Sequence, residues 1–112
     1  MKNEIKEGVL VIHLEGNLLG ETISAAVMEL IMQNINTGNK KVVFNLGEMK
    51  FINSTGLGML LNSVTKTRGA GGEVVICSVP DQMKKLLQMT KLEALFISKA
   101  NEAEAIAHLN GV

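Results

Sequence analysis

Apolar residues along the chain follow two patterns, one typical of helices and the other of strands. Spacings of i, i+3, i+4 and i+7 predict an amphipathic helix from Gly20 to about Thr37, and a second whose apolar stripe runs from Leu57 to Val64. Short runs rich in Val and Ile instead predict strands that are buried in a sheet. These strands cover residues 8–14, 42–46, 73–78 and 95–97, and residues 2–6 are expected to pair with the first of them as a hairpin.

From residue 40 onward the predicted strands and helices alternate. Such alternation predicts right-handed crossovers and parallel pairing, so the fold class is α/β. The second helix stops in the glycines of residues 69–72, Pro80 opens a third helix, and a fourth begins near Asn101. We expect a single domain over residues 1–112, with a small mixed sheet of four or five strands, partly parallel, and about four helices. Binding sites in such sheets lie at the carboxyl ends of the strands, here residues 47–58.

The composition excludes several classes of function. Eleven basic groups balance eleven acidic ones, and the chain has three Phe but no Trp or Tyr, so we expect no nucleic-acid partner. No run approaches the ~20 apolar residues of a membrane span, and Val9–Leu14 is too short for a signal peptide. The single Cys77 excludes an internal disulfide and fits a small core residue in a reducing compartment, which predicts a cytoplasmic protein.

Side chains that support catalysis are few and scattered. The chain has one aspartate, Asp81, one cysteine, and two histidines, His13 and His108, that are far apart in sequence. Neither histidine is expected to be functional, since His13 falls on a strand as a surface or half-buried residue and His108 suits a helix end. No Gly-Lys-Ser or Gly-Lys-Thr follows the glycines, as a phosphate-binding loop would require. We therefore predict that the protein is not an enzyme and has no metal site and no cofactor.

Residues 51–58 place three residues with capping side chains and two glycines at the start of the second helix. Asn53, Ser54 or Thr55 can each accept one of the backbone N–H groups that a helix leaves unpaired at its start. The same helix end favours an anion, so a phosphate carried by Ser54 is the alternative interpretation. Gly56 and Gly58 then either leave room for a kinase or partner to approach, or serve only tight packing.

The order of the elements and a short signature give the chain a family resemblance. Asn45 and Leu46 end a strand, residues 49–52 lead to the signature Ser54–Gly58, and residues 71–73 precede the next strand. Over nearly its whole length the chain resembles the STAS family, and in particular the bacterial anti-sigma factor antagonists. That resemblance implies a small non-enzymatic domain that binds an anti-sigma factor, itself a GHKL-type serine kinase, and thereby releases a sigma factor.

The resemblance also implies a phosphorylation site and a surface for the partner. The kinase is expected to phosphorylate Ser54, with Thr55 as the secondary candidate, and a PP2C-type phosphatase is expected to restore the binding form. The candidates for partner binding are Asn17, Leu19, Met49, Asn53, Ser54, Thr55, Gly56, Gly58, Met59 and Asn62, with Ser63 added from the exposed flank of the second helix.

The sequence positions of the methionines separate those expected in the core from those expected at the partner surface. Met28, Met83 and Met89 have helical spacing and are expected in the core. Met49 and Met59 lie close to the signature in sequence, and we expect them to contribute to the partner surface.

Two positions depart from the family pattern and keep other functions open. Asn53 stands where the family usually has Asp, and Leu19 stands where a second Asp is common. One alternative is a STAS scaffold that is not phosphorylated, in a signalling or transporter-associated complex. A ligand-binding module is another.

Overall fold

Strands and helices alternate along most of the chain. The structure, a computed structural model, describes residues 1–18 and 21–111. The strands are β1 (Lys2–Lys6), β2 (Val9–Leu18), β3 (Lys41–Ile52), β4 (Glu73–Cys77) and β5 (Ile97–Lys99). The helices are α1 (Glu21–Asn36), α2 (Ser54–Gly69), α3 (Asp81–Met89) and α4 (Glu102–Leu109), and a 3₁₀ helix, Glu93–Leu95, precedes β5. Within the described ranges, no helix combines the length and the hydrophobicity of a membrane span.

The five strands form one sheet in which the spatial order follows the chain order. β1 and β2 form an antiparallel hairpin, whereas β2, β3, β4 and β5 run parallel to one another. Helices connect the parallel strands, because a parallel pair requires a crossover connection. The predictions of an α/β class and of a mixed, partly parallel sheet are confirmed.

Both faces of the sheet are covered by helices, which explains the continuous apolar runs of the central strands. Alternate side chains of β2 and β3, such as Ile12 and Phe44, form the larger core with α1, α2 and α3. The intervening side chains, such as Val11 and Val43, pack with α4 in a smaller core. The sheet is therefore the middle layer of three.

The structure corrects the predicted loop after Leu46, because β3 continues for another six residues. Its register shifts twice against β2, and each shift inserts one additional residue into β3. At the first shift the Gly47 N–H donates to Asn45 Oδ1 at 3.0 Å. The inserted residue reverses the alternation of buried and exposed positions, so Met49 is buried whereas Glu48 is exposed. A strand whose periodicity is interrupted in this way resembles a loop in sequence.

The last strand lies two residues later than predicted. Leu95 belongs to the 3₁₀ helix and is exposed, Phe96 is buried, and β5 begins at Ile97. The apolar run at these positions reflects the burial of Phe96 against the core rather than the start of the strand.

The residues that mark the helix ends behave as predicted. Pro80 and Asn101 are the N-caps of α3 and α4. After α2 the chain passes close to β3, and a Cβ at Gly72 would overlap the backbone carbonyl of Lys40, so only glycine fits. That carbonyl accepts the N–H of Glu73 at 3.0 Å, which fixes the start of β4 beside β3.

Candidate functional site

α2 begins where β3 ends, and one side chain marks the transition. Asn53 has an extended backbone (φ −110°, ψ −176°), and its Oδ1 accepts the N–H of Gly56 at 2.9 Å. Its carbonyl oxygen accepts the N–H of Leu57, also at 2.9 Å. Among the three capping candidates in the sequence, Asn53 is therefore the N-cap of α2.

Ser54 and Thr55 are the first two residues of α2, and both are exposed. Because Asn53 supplies the cap, the helix does not depend on either hydroxyl for its start. The first turn of α2 contains no acidic residue, so no carboxylate within it offsets the positive end of the helix dipole. A phosphate on Ser54 would lie at this helix end, where backbone N–H groups favour an anion.

Asn17 lies beside the end of β3, as its position in the sheet shows. It is exposed and pairs with Phe51, two residues before the cap. β4 ends at Cys77, opposite the middle of β3, so β2 and β3 continue beyond it as a two-stranded ribbon that leads to α2. Leu19, the other candidate from this region, lies outside the described residues.

Two shallow grooves flank the start of α2. The first, of about 290 Å³ between α1 and α2, is lined by the candidates Thr55, Gly58, Met59 and Asn62. It is open at Gly58, where no atom outside the backbone of α2 lies within 4 Å of the position of a Cβ. The second, of about 220 Å³ between the end of β3 and α3, is lined by Met49. The fold thus places four of these candidates along the first part of α2 where it faces α1, and Met49 in the strand that leads to α2, on the side of α3.

The structure corrects the expected division of the methionines. Met49 and Met59 belong to the larger core, with 6% and 3% exposure, so only their edges reach the grooves. Met83 is buried, as predicted. Met89, which was expected in the core, is 82% exposed. It follows Leu87, which is buried, by two residues, and two residues correspond to about 200° around a helix, on the opposite side.

The prediction for Ser63 is also wrong, because this residue is buried and does not lie on the exposed flank of α2. Its hydroxyl donates to the carbonyl oxygen of Met59 at 2.9 Å and lies 3.5 Å from the Sδ of Met28 on α1. A bond to the carbonyl one turn earlier satisfies a buried serine and lets it occupy a helix interface. Ser63 therefore contributes to the packing of α1 against α2 and not to an exposed surface.

Phe51 is a further residue of this region that the sequence did not indicate as a binding candidate. It lies at the end of β3, lines the groove beside α3, and is 60% exposed. The other two phenylalanines, Phe44 and Phe96, are buried. Aromatic side chains are enriched at protein interfaces, so an exposed one beside the start of α2 is relevant to partner binding. In sequence, nothing distinguished it from a core residue.

Cys77 does not belong to a reactive site. It is buried in the smaller core at the end of β4, which confirms its predicted role as a small core residue. Burial raises the pKa of its thiol to about 11, against the smaller, opposing effect of the Ser78 hydrogen bond. The thiol is therefore protonated at neutral pH and lacks the thiolate that nucleophilic attack requires.

Comparison with known protein families identifies a STAS domain over residues 1–105, which is most of the chain. The chain belongs to the STAS domain family. The family resemblance inferred from the signature and the order of the elements is thereby confirmed. An anti-sigma F factor antagonist of Paenibacillus polymyxa is 28% identical to this STAS domain over 109 residues, covering 97% of this chain and 93% of the relative.

Solved structures of anti-sigma factor antagonists have the same fold. SpoIIAA in its unphosphorylated form, an anti-sigma factor antagonist, aligns with a TM-score of 0.77 at 22% identity, covering 99% of this STAS domain and 98% of SpoIIAA. The phosphorylated form from Bacillus aligns with a TM-score of 0.75 at 23% identity, with 96% of each chain covered. An anti-sigma factor antagonist from Mycobacterium paratuberculosis aligns with a TM-score of 0.79 at 18% identity, over 97% and 92% of the two chains.

Proposed function

We propose that this STAS domain is an anti-sigma factor antagonist whose binding to its anti-sigma factor is switched off by phosphorylation of Ser54. The observation that carries the proposal is the exposed Ser54 at the start of α2, a helix that Asn53 caps without using the serine hydroxyl. The similarity to an anti-sigma F factor antagonist supports the role. The fold shared with phosphorylated and unphosphorylated SpoIIAA is consistent with a phosphate-controlled form.

In the proposed cycle, the anti-sigma factor is a GHKL-type serine kinase that releases its sigma factor when this domain binds. The kinase transfers the γ-phosphoryl group of ATP to Ser54, and Thr55 is the secondary candidate. A bond forms between the serine Oγ and the γ-phosphorus, the bond to the bridging oxygen of ADP breaks, and the hydroxyl proton passes to a base of the kinase. A PP2C-type phosphatase then hydrolyses the phosphoserine to serine and inorganic phosphate. The domain supplies the acceptor hydroxyl, and its partners supply the catalysis.

The charge of the phosphate determines how such a switch operates. A phosphate adds about −1.5 to −2 charges, yet a negative charge at a helix start is favourable by about 0.3–1 kcal/mol. Phosphorylation is therefore expected to leave the domain folded. Its cost falls at the interface, where the phosphate must be desolvated or faces like charges, and each 1.4 kcal/mol lost there weakens binding tenfold.

The proposed partner surface surrounds Ser54 and includes both grooves. Asn17 approaches from the end of β2, and Asn62 borders the groove between α1 and α2. Gly58 keeps that groove open. Phe51 offers an exposed apolar side chain on the opposite side of the helix start, beside α3. Met49 and Met59 are buried and contribute to this surface only where each lines one of the two grooves.

The first test is transfer of labelled phosphate from ATP in an extract of the native cells, which supplies the kinase. Purified wild type, Ser54→Ala and Thr55→Ala are incubated in parallel, and the product is identified by intact mass and site mapping. We expect one phosphate on wild type and on Thr55→Ala, and none on Ser54→Ala. Thr55→Ala is the matched control, since it removes the neighbouring hydroxyl from the same helix turn. Label retained on Ser54→Ala contradicts Ser54 as the acceptor.

A second candidate function, a scaffold that is not phosphorylated, is favoured by one observation. Asn53 occupies the position where the family usually has Asp, and its side chain is engaged as a neutral cap. A wild-type protein that takes no label but still copurifies with a partner is the result expected of a scaffold. A small molecule that competes with that partner would instead indicate a ligand-binding module.

A further inference from the structure

Three side chains from separate parts of the chain meet on the α4 side of the sheet. Glu4 lies on β1, His13 on the adjacent β2, and Glu102 is the first residue of α4. The Nε2 of His13 lies 3.3 Å from Glu4 Oε1 and 3.4 Å from Glu102 Oε1. The imidazole nitrogen and the two carboxylate oxygens all lie within 4.8 Å of one another. These three atoms therefore form one compact cluster.

The two distances from the imidazole nitrogen match the spacing of ligands in a tetrahedral metal site. Zinc binds histidine nitrogen and carboxylate oxygen at about 2.0–2.1 Å, so two ligands of one tetrahedral ion lie about 3.3–3.4 Å apart. Both distances from the Nε2 of His13 have this value. One histidine and two carboxylates form a ligand set that suits a borderline divalent ion such as Zn²⁺.

We propose that Glu4, His13 and Glu102 form a binding site for a divalent transition-metal ion, with Zn²⁺ as the best fit. The ion would bind through the lone pair of His13 Nε2, so this nitrogen must carry no proton in the metal-bound form. Glu4 and His13, but not Glu102, line a cavity of about 490 Å³, from which a water molecule would reach the ion as the fourth ligand. The proposal goes beyond the antagonist function and does not depend on it.

A second layer of contacts orients one of the ligands. Asn45 Nδ2 donates to Glu102 Oε1 at 3.2 Å, and its Oδ1 accepts the N–H of Gly47 at 3.0 Å. Gly47, at the bulge of β3, thereby orients the side-chain amide of Asn45, and this amide orients the carboxylate of Glu102. Such outer contacts are typical of metal ligands, where they fix the direction of the lone pairs.

Lys6 already forms ion pairs with both of these carboxylates. Its Nζ lies 2.7 Å from Glu102 Oε2 and 3.2 Å from Glu4 Oε1. The hydrogen bond from Lys6 lowers the pKa of Glu102; burial opposes this with a smaller effect, and the hydrogen bond from Asn45 contributes less than either. Lys6 contacts Oε2 of Glu102, whereas the proposed ion uses Oε1, so the two cations compete mainly for Glu4.

The test is a titration of the untagged full chain with ZnCl₂. Isothermal titration calorimetry measures the binding, and NMR monitors the histidine rings. We expect one Zn²⁺ per chain, a rise in the melting temperature, and a shift of the His13 ring resonances. The ring of His108, an exposed residue at the far end of α4, is expected to remain unchanged. Co²⁺ in place of Zn²⁺ gives an independent readout, because a tetrahedral site produces intense visible absorption.

Variants separate this site from other metal-binding groups. His13→Gln and Glu4→Gln are each expected to weaken Zn²⁺ binding at least tenfold, the scale seen when metal-site contacts are removed. His108→Gln and Glu104→Gln are the matched controls and are expected to bind as wild type does. Lys6→Gln removes the competing cation and is expected to tighten binding.

The proposal is overturned if wild type takes up no Zn²⁺. It is equally overturned if Zn²⁺ shifts His108 instead of His13, or if folded His13→Gln binds as tightly as wild type. Circular dichroism establishes that each variant is folded. The Lys6→Gln variant keeps the test decisive even where a ligand variant does not fold, because it is expected to tighten Zn²⁺ binding rather than to weaken it.

Discussion

Two helices of this domain begin with the same cap and continue differently. Asn53 opens α2 and Asn101 opens α4, and in each case the side-chain oxygen accepts the N–H three residues later at 2.9 Å. α4 then supplies its own negative charge, with Glu102 and Glu104 in its first turn. The first turn of α2 contains no acidic residue and begins with the exposed hydroxyl of Ser54.

The difference separates what the fold requires from what the function requires. Both helix starts are stabilised by asparagine, so the hydroxyl groups of α2 are not needed to begin the helix. In α4, the carboxylates of the first turn offset the positive end of the helix dipole. In α2, the first turn has such a negative charge only when a negative group is added to it. A phosphate on Ser54 would give α2 the charge that Glu102 gives α4 at the equivalent position.

The largest expected effect comes from making α2 resemble α4. Ser54→Glu places a carboxylate at the position where α4 already has one, so we expect the domain to remain folded. Its free energy of unfolding should either rise or fall by no more than about a few tenths of a kcal/mol. We expect its affinity for the anti-sigma factor to fall at least tenfold, or about 1.4 kcal/mol. Calorimetry with the purified partner measures the affinity. Ser54→Ala, which should bind as wild type does, is the control. Equal affinity of Ser54→Glu and wild type would refute a charge-based switch.

A smaller effect tests whether the two caps are equivalent. Asn53→Ala and Asn101→Ala should each lower the free energy of unfolding by about 1 kcal/mol, because each leaves one N–H at a helix start without its partner. Asn53→Asp keeps the acceptor and adds charge, so it should be at least as stable as wild type. Urea denaturation with an unchanged m-value measures these differences. A loss for Asn101→Ala alone would show that other contacts at the start of α2 replace its cap.

The smallest effect concerns the Glu102 carboxylate at the start of α4 and depends on pH. Hydrogen bonds from Lys6 and Asn45 lower the pKa of Glu102 below its ordinary value of 4.5. Its ionised form therefore stabilises the fold above the pKa of the unfolded chain, and this contribution is lost as pH falls through the lower folded pKa. Wild type should exceed Glu102→Gln in stability at neutral pH, and the difference should shrink below pH 4.5. Thermal melts from pH 7 to pH 3, with Glu104→Gln as the control, test this. A difference that does not change with pH would contradict it.

The sequence predicted the helix ends well because single residues determine them. Proline cannot donate a hydrogen bond, so Pro80 marks the start of α3, and the asparagine cap marks α4 in the same way. The close approach to Lys40 similarly explains Gly72, and a φ of +88° explains Gly71 beside it. These signals act over a few neighbouring residues and can be interpreted without knowledge of the packing.

The remaining features depend on contacts between distant parts of the chain. The bulge at Gly47 reverses which β3 residues face the core, and no local pattern announces it. Ser63 is buried because α1 supplies Met28 against it. The cluster of Glu4, His13 and Glu102 unites residues up to 98 positions apart in sequence, so no spacing rule predicts it. For the same reason Phe51 could be seen as exposed only once the sheet was known.

The position of β1 at the edge of the sheet has a consequence for aggregation. An edge strand presents unpaired backbone groups to which another chain can add a strand. All five residues of β1 are exposed, and Lys2, Glu4 and Lys6 place a charge at every second position. A second chain that paired here would bring its own strand against these charges and strip water from them. The edge that would otherwise be the simplest place for copies of this domain to join is thereby protected against amyloid-like association.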